Sequence, residues 1–200
     1  QSNQRVLYNT FDVTSLVQKA ENTVGVLLGN GWYNQRDRTV EGCMWYDTPR
    51  LLCQLEIEYT DGSTELVVTD DSWKTTTGPL LHDAIFTGEE YDARLELDGW
   101  NRNGYKDSSW KKALLVRAPK GSLHAQLAPH EKIIRILQPV SCEQKDDSTY
   151  WYAFPEMISG WAHIKVQGNA GDRIKLRFVG EEKNDFGQVD LYKSEDRKSG

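Results

Sequence analysis

The run Gly88-Glu89-Glu90-Tyr91-Asp92-Ala93-Arg94, with Gly99-Trp100 just behind it, holds the residue types in this chain most capable of chemistry. Four charged side chains and a tyrosine within six positions are too polar for a strand buried on both faces. One face must meet water or a cleft, where carboxylates beside aromatics can orient hydroxyl groups or hold a hard cation. The competing role is structural: an ion network of Glu89, Asp92 and Arg94 that fixes a turn. A second group is aromatic. Gly31-Trp32-Tyr33 lies between Asn30 and Asn34 at the end of a predicted strand, and Trp45-Tyr46 precedes Asp47-Thr48-Pro49. Flat rings on loops suit sugar rings, and nearby Asn and Asp suit their hydroxyls. Filling a small β core is the alternative use of such rings. For Trp73 and Trp110, each followed by a lysine at a strand start, core packing is the reading adopted.

Other constellations are missing. The chain has neither a Gly-x-Ser-x-Gly elbow nor a Gly-x-x-x-x-Gly-Lys phosphate loop. His130-Glu131 lacks the second histidine of a zincin helix, because position 134 is Ile. His82, His124, His130 and His163 have neither zinc-site spacing nor a cysteine pair nearby. A glycosidase needs two carboxylates across a sugar, roughly 5–10 Å apart. Thirty Asp and Glu residues always offer such pairs on paper, so no catalytic residue is assigned.

The elements that must position these residues read as short strands. Asn22 to Leu28 is apolar and β-branched and ends on Gly29-Asn30-Gly31. Leu51 to Tyr59 alternates, and Asp61-Gly62-Ser63 turns it into Glu65-Leu66-Val67-Val68-Thr69. Alternation returns over 133–137, 162–166 and 173–178, with Asn169-Ala170-Gly171-Asp172 as a turn. One helical piece is predicted over 14–20, capped by Asp12 or Thr14. Many strands with little helix predict an all-β chain of tandem β-sandwich, jelly-roll or galactose-binding-like domains. Two prolines and a Gly-Ser pair place a linker at 118–130, between a first sandwich (1–117) and the start of a second (131–200). The charged tail from Glu181 to Gly200 reads as an exposed loop or the stub of a longer chain.

Composition sets outer bounds. A net charge of −6 argues against a nucleic-acid footprint, and no apolar run has the eighteen or so residues of a membrane span. Cys43, Cys53 and Cys142 permit at most one disulfide; a Cys43–Cys53 bridge and free thiols both remain open, as does the compartment.

Four motifs together resemble a known family: "FDVTSLVQKAENTVGVLLGNGWYN" (11–34), "YTDGSTELVVTDDSWKTTTGPL" (59–80), "GEEYDAR" (88–94) and "GW" (99–100). They look like the N-terminal region of bacterial α-L-rhamnosidases, glycoside hydrolase family 78. "SGWAHIKVQGNAGDRIKLRF" (159–178) is similar to the β-sandwich that follows in those enzymes. The resemblance implies a non-catalytic part of an inverting enzyme that hydrolyses terminal α-L-rhamnose. The acid and base of that family lie in an (α/α)6 barrel further along the polypeptide. The expected partners are that barrel and a rhamnose-containing carbohydrate. Some members carry a calcium-dependent rhamnose-binding module, and the matching positions here are Asn30, Trp32, Tyr33 and Glu89 for sugar, and Asn30, Asp83 and Glu89 for calcium. Two segments depart from the family pattern. A charged stretch, Asn34 to Glu41, replaces a glycine-rich loop, and Ala153 to Met157 replaces Asp-x-Gly-Gln-Asn.

Overall fold

The computed structural model describes residues 4–35, 44–179 and 185–194. Its regular structure is almost wholly β, as predicted; among the described residues the helical pieces are two single 3-10 turns, Thr14–Leu16 and Ala93–Leu95. The contacts group the chain into two units. One comprises Gln1–Asp12, Ala118–Val166 and Val179–Asn184, the other Val13–Arg117, Gln167–Phe178 and Asp185–Gly200. Each unit draws on segments far apart in sequence because pairing joins distant strands. In the first unit Arg5–Tyr8 runs parallel to Ser122–Ala125, and Ser141–Gln144 forms an antiparallel hairpin with Tyr150–Ala153.

The second unit holds the chemistry-bearing residues. Its best local signal folds as expected: Gln54–Glu58 pairs antiparallel with Thr64–Val68 around Gly62, at φ 83°. Leu55 and Ile57 are half-buried while Gln54, Glu56 and Glu58 meet solvent, so the two-residue period maps onto two faces. Lys74–Thr75 pairs with Lys111–Lys112, which makes Trp73 and Trp110 the residues entering one short ladder. The principal sheet has four strands, in the order Arg173–Val179, Asp185–Lys193, Gly88–Asp92, Leu80–Ala84. The polar stretch is thus an interior strand, with one neighbour parallel and one antiparallel. Its backbone groups are held on both sides while Glu89 and Glu90 remain exposed. Tyr91 and Tyr192, paired in register, stack at 5.7 Å with planes 9° apart.

Several expectations are corrected. The tail is not an exposed loop: Asp185–Lys193 is a strand inside the sheet, because its backbone pairing does not need the aliphatic side chains whose absence suggested a loop. The helix over 14–20 shrinks to Thr14–Leu16, without a side-chain cap; seven residues are too few for a helix unsupported by packing. The stretches 22–28, 133–137 and 162–166 join no ladder, so their apolar patterns mark surface for packing and not paired strands. Ala93 is the one fully buried apolar side chain among the described residues, whereas Leu114, Leu127 and Ile134 are 86%, 96% and 93% exposed. Cys53 is a half-buried free thiol and Cys142 an exposed one; Cys43 lies outside the described residues.

Candidate carbohydrate site

Asn30, the first of the expected sugar and calcium ligands, accepts the hydrogen bonds that close a tight turn. Tyr33 and Asn34 donate their backbone N–H groups to the Asn30 carbonyl at 3.2 and 3.1 Å. Gly31 takes φ 49° within this turn, a conformation that favours glycine. The Asn30 backbone N–H then donates to Asp83 Oδ2 at 2.7 Å, and its side-chain amide donates to the Asp83 carbonyl at 3.0 Å and to Asp83 Oδ1. Gly29 permits this approach, since a Cβ there would lie 2.8 Å from Asp83 Oδ2. Asn30 Oδ1 accepts from the Asn34 amide at 2.7 Å. Both Asp83 oxygens and the Asn30 amide oxygen therefore already face N–H donors.

Ladder register carries the cluster to the polar stretch, because Asp83 stands opposite Glu89. The Glu89 backbone N–H donates to Asp190 Oδ1 at 3.0 Å. Partial desolvation raises the Glu89 carboxyl above its ordinary value, and the neighbouring Asp190 and Asp83 carboxylates push it further in the same direction. Glu89 thus joins a carboxylate cluster and not the ion pair foreseen with Asp92 and Arg94. That pair is built separately. Arg94 donates to Asp92 from Nε at 2.8 Å, from a terminal nitrogen at 2.6 Å and from its backbone N–H at 3.2 Å, and Lys193 lies 3.7 Å away. The Arg94 hydrogen bonds hold Asp92 down to about pKa 2. Asp92 and Arg94 are anchors of the strand end.

The aromatic pair diverges. Trp32, 59% exposed, meets Phe86 edge-on at 5.5 Å, whereas Tyr33 stacks on Tyr46 at 6.0 Å. The structure therefore joins Asn30 to Asp83 directly, relates Glu89 to Asp83 through the ladder, and places Trp32 and Tyr33 on different partners. Among the described residues no group of three or more His, Cys, Asp or Glu is arranged to hold a metal ion. Two contributors escape sequence reasoning. Gln35, 1% exposed, donates to the Gly31 carbonyl and ties down the loop, but a glutamine in a charged stretch gives no sign of burial. Asp190 arrives from 101 positions beyond Glu89 in a charged tail without a large aliphatic cluster.

Residues 1–135 match the family model described as the alpha-L-rhamnosidase N-terminal domain. The chain belongs to that family of β domains. An alpha-L-rhamnosidase of Alteromonas sp. (strain LOR) is 34% identical over 197 residues, 96% of this chain and 21% of the relative. The solved alpha-L-rhamnosidase from Dictyoglumus thermophilum superposes with a TM-score of 0.83 at 35% identity, over 96% of this chain and 22% of that one. The Streptomyces avermitilis alpha-L-rhamnosidase solved with L-rhamnose superposes with a TM-score of 0.85 over 100% of this chain and 20% of that one; at 24% identity it supports the fold alone. The chain spans about one fifth of the length of the curated relatives it matches.

Proposed function

We propose that this chain is a non-catalytic β portion of an α-L-rhamnosidase and supports a catalytic domain elsewhere in the same polypeptide. The reading rests chiefly on one observation: nearly the whole chain aligns with α-L-rhamnosidases of which it makes up only about a fifth. The engagement of the acidic residues supports it. Asp83 accepts from Asn30 on both oxygens, Asp92 is locked to Arg94, and Asp190 accepts from the Glu89 backbone, so each has a structural job. Exposed aliphatics such as Leu127 and Ile134 in one unit, and Leu114 in the other, supply apolar surface for the rest of the polypeptide to cover.

The substrate proposed for the whole enzyme is a carbohydrate bearing terminal α-L-rhamnose. The test is steady-state hydrolysis of an aryl α-L-rhamnoside by the full-length enzyme carrying Glu89→Ala. A kcat within about twofold of the parent is expected. A loss of about a hundredfold or more, the scale set by removing a group that acts in the transition state, would place chemistry in this region instead.

A further inference from the structure

A second place in the 13–117 unit is built to take a ligand, away from the Asn30 turn. Trp100 and Trp110 stack at 6.5 Å with planes 29° apart, and Tyr105 meets Trp110 edge-on at 5.7 Å. Trp100 is seated against the backbone of Gly25, where a Cβ would come within 2.4 Å of its ring, so this indole is fixed before any ligand arrives. The two rings help wall a cavity of about 320 Å³, within the range of small-molecule sites. Among the described residues neither indole N–H has a hydrogen-bond partner, and no side-chain nitrogen or oxygen buried from solvent is left unpaired. Both donors therefore meet solvent. Asn101 and Arg102 close one end of the cavity and also line a neighbouring one of about 270 Å³, walled by the amides of Gln18, Asn22 and Asn103.

We propose that this Trp100–Trp110 cleft binds a neutral sugar ring, with the glycan continuing past Asn101 and Arg102 into the amide-lined cavity. The charge balance argues against an anionic ligand. Lys74 is committed to Asp107 at 2.6 Å, and Arg102 shares the lining with Glu96 and Asp98, so no positive excess is left to attract an anion. Glu96 already accepts from the Tyr91 hydroxyl at 2.8 Å and is held in place at the wall. The ring faces offer a negative surface to the C–H bonds of a sugar's apolar side. Val26, Leu27 and Pro79 supply apolar surface for the methyl group of a 6-deoxyhexose. Asn101, Arg102 and the two indole N–H groups supply donors for its hydroxyls. The choice of L-rhamnose as probe rests on the enzyme reading above; the site itself does not.

The test is a titration of the 200-residue chain with methyl α-L-rhamnopyranoside, followed by tryptophan fluorescence and by NMR shifts of the indole N–H signals. A saturable change at millimolar sugar is expected, unaltered by EDTA. Asn101→Ala and Arg102→Ala remove exposed side chains without partners, so the fold is retained, and each should weaken binding about threefold to tenfold, the loss of one hydrogen bond. Leu114→Ala, at an exposed side chain outside both cavities, should leave it unchanged. Absence of saturation would overturn the proposal, as would binding that survives both cleft variants or is lost in Leu114→Ala. Since full-length kcat in Glu89→Ala reports on a different question, failure of one reading is separable from failure of the other.

Discussion

Gly88→Ala should be among the most damaging single-methyl changes in the chain. Gly88 takes φ 94°, and a Cβ built on it would lie 2.2 Å from the Val189 carbonyl oxygen, 2.6 Å from the Val189 carbonyl carbon and 2.7 Å from Asp190 Oδ1. Two of those atoms are backbone, so no side-chain rotation relieves the overlap. A non-glycine residue held at such a φ costs about 1–3 kcal/mol. To make room, Asp185–Lys193 must also move off Gly88–Asp92. That movement stretches the hydrogen bond from Val189 N–H to the Thr87 carbonyl (3.2 Å) and the one from Glu89 N–H to Asp190 (3.0 Å). Each contributes about 0.5–1.5 kcal/mol net. The sum is about 4 kcal/mol. At about 2–4 °C per kcal/mol for a chain of this length, Tm should fall by about 8–16 °C in thermal unfolding followed by circular dichroism. Gly62→Ala is the control, because Gly62 has φ 83° but nothing within 4 Å of its would-be Cβ. It carries the conformational penalty without the overlap. Equal Tm losses in the two variants would refute the claim that the parallel neighbour presses on Gly88.

Two further outcomes concern pH. Asp92 titrates at about 2 in the folded chain, below the ordinary aspartate value near 4, so its contribution is present above about pH 4 and is lost as pH falls toward 2. Tm of the parent chain should therefore drop more steeply over that interval than Tm of Asp92→Asn. Glu89 shifts the other way, being raised by partial desolvation and by two carboxylates; its effect on stability is most favourable below the ordinary glutamate value and worsens as pH rises through the folded one. Glu89→Gln should match or exceed the parent in Tm at pH 7, with the gap closing by pH 4.

What the sequence makes legible is what local chemistry determines. Strict alternation around Asp61-Gly62-Ser63 fixes the Gln54–Glu58 and Thr64–Val68 hairpin, since turn and period specify both register and face. Arg173–Val179 is readable for the same reason, with Ile174, Leu176 and Phe178 turned inward. The pairing of Asp185–Lys193 with Gly88–Asp92 is not readable. Parallel neighbours about a hundred positions apart leave no turn between them, and the tail's polar composition conceals a strand held by backbone bonds. At the site, Asn30, Asp83 and Glu89 were identifiable by type and by family resemblance. That Asp83 would spend both oxygens on Asn30 depends on the depth of the Gly29 turn, which no spacing rule supplies. Apolar pattern alone misled over 22–28, where Gly25 serves as the seat for Trp100 and the segment joins no ladder.

The central claim is that these β units take part in rhamnoside cleavage without performing it. The most direct measurement is release of the aryl group from an aryl α-L-rhamnoside by the purified 200-residue chain, at high enzyme concentration and over long times. No turnover above the uncatalysed rate is the predicted result. Turnover that disappears in Glu89→Ala would contradict the account and make the carboxylate cluster of Asp83, Glu89 and Asp190 an active site.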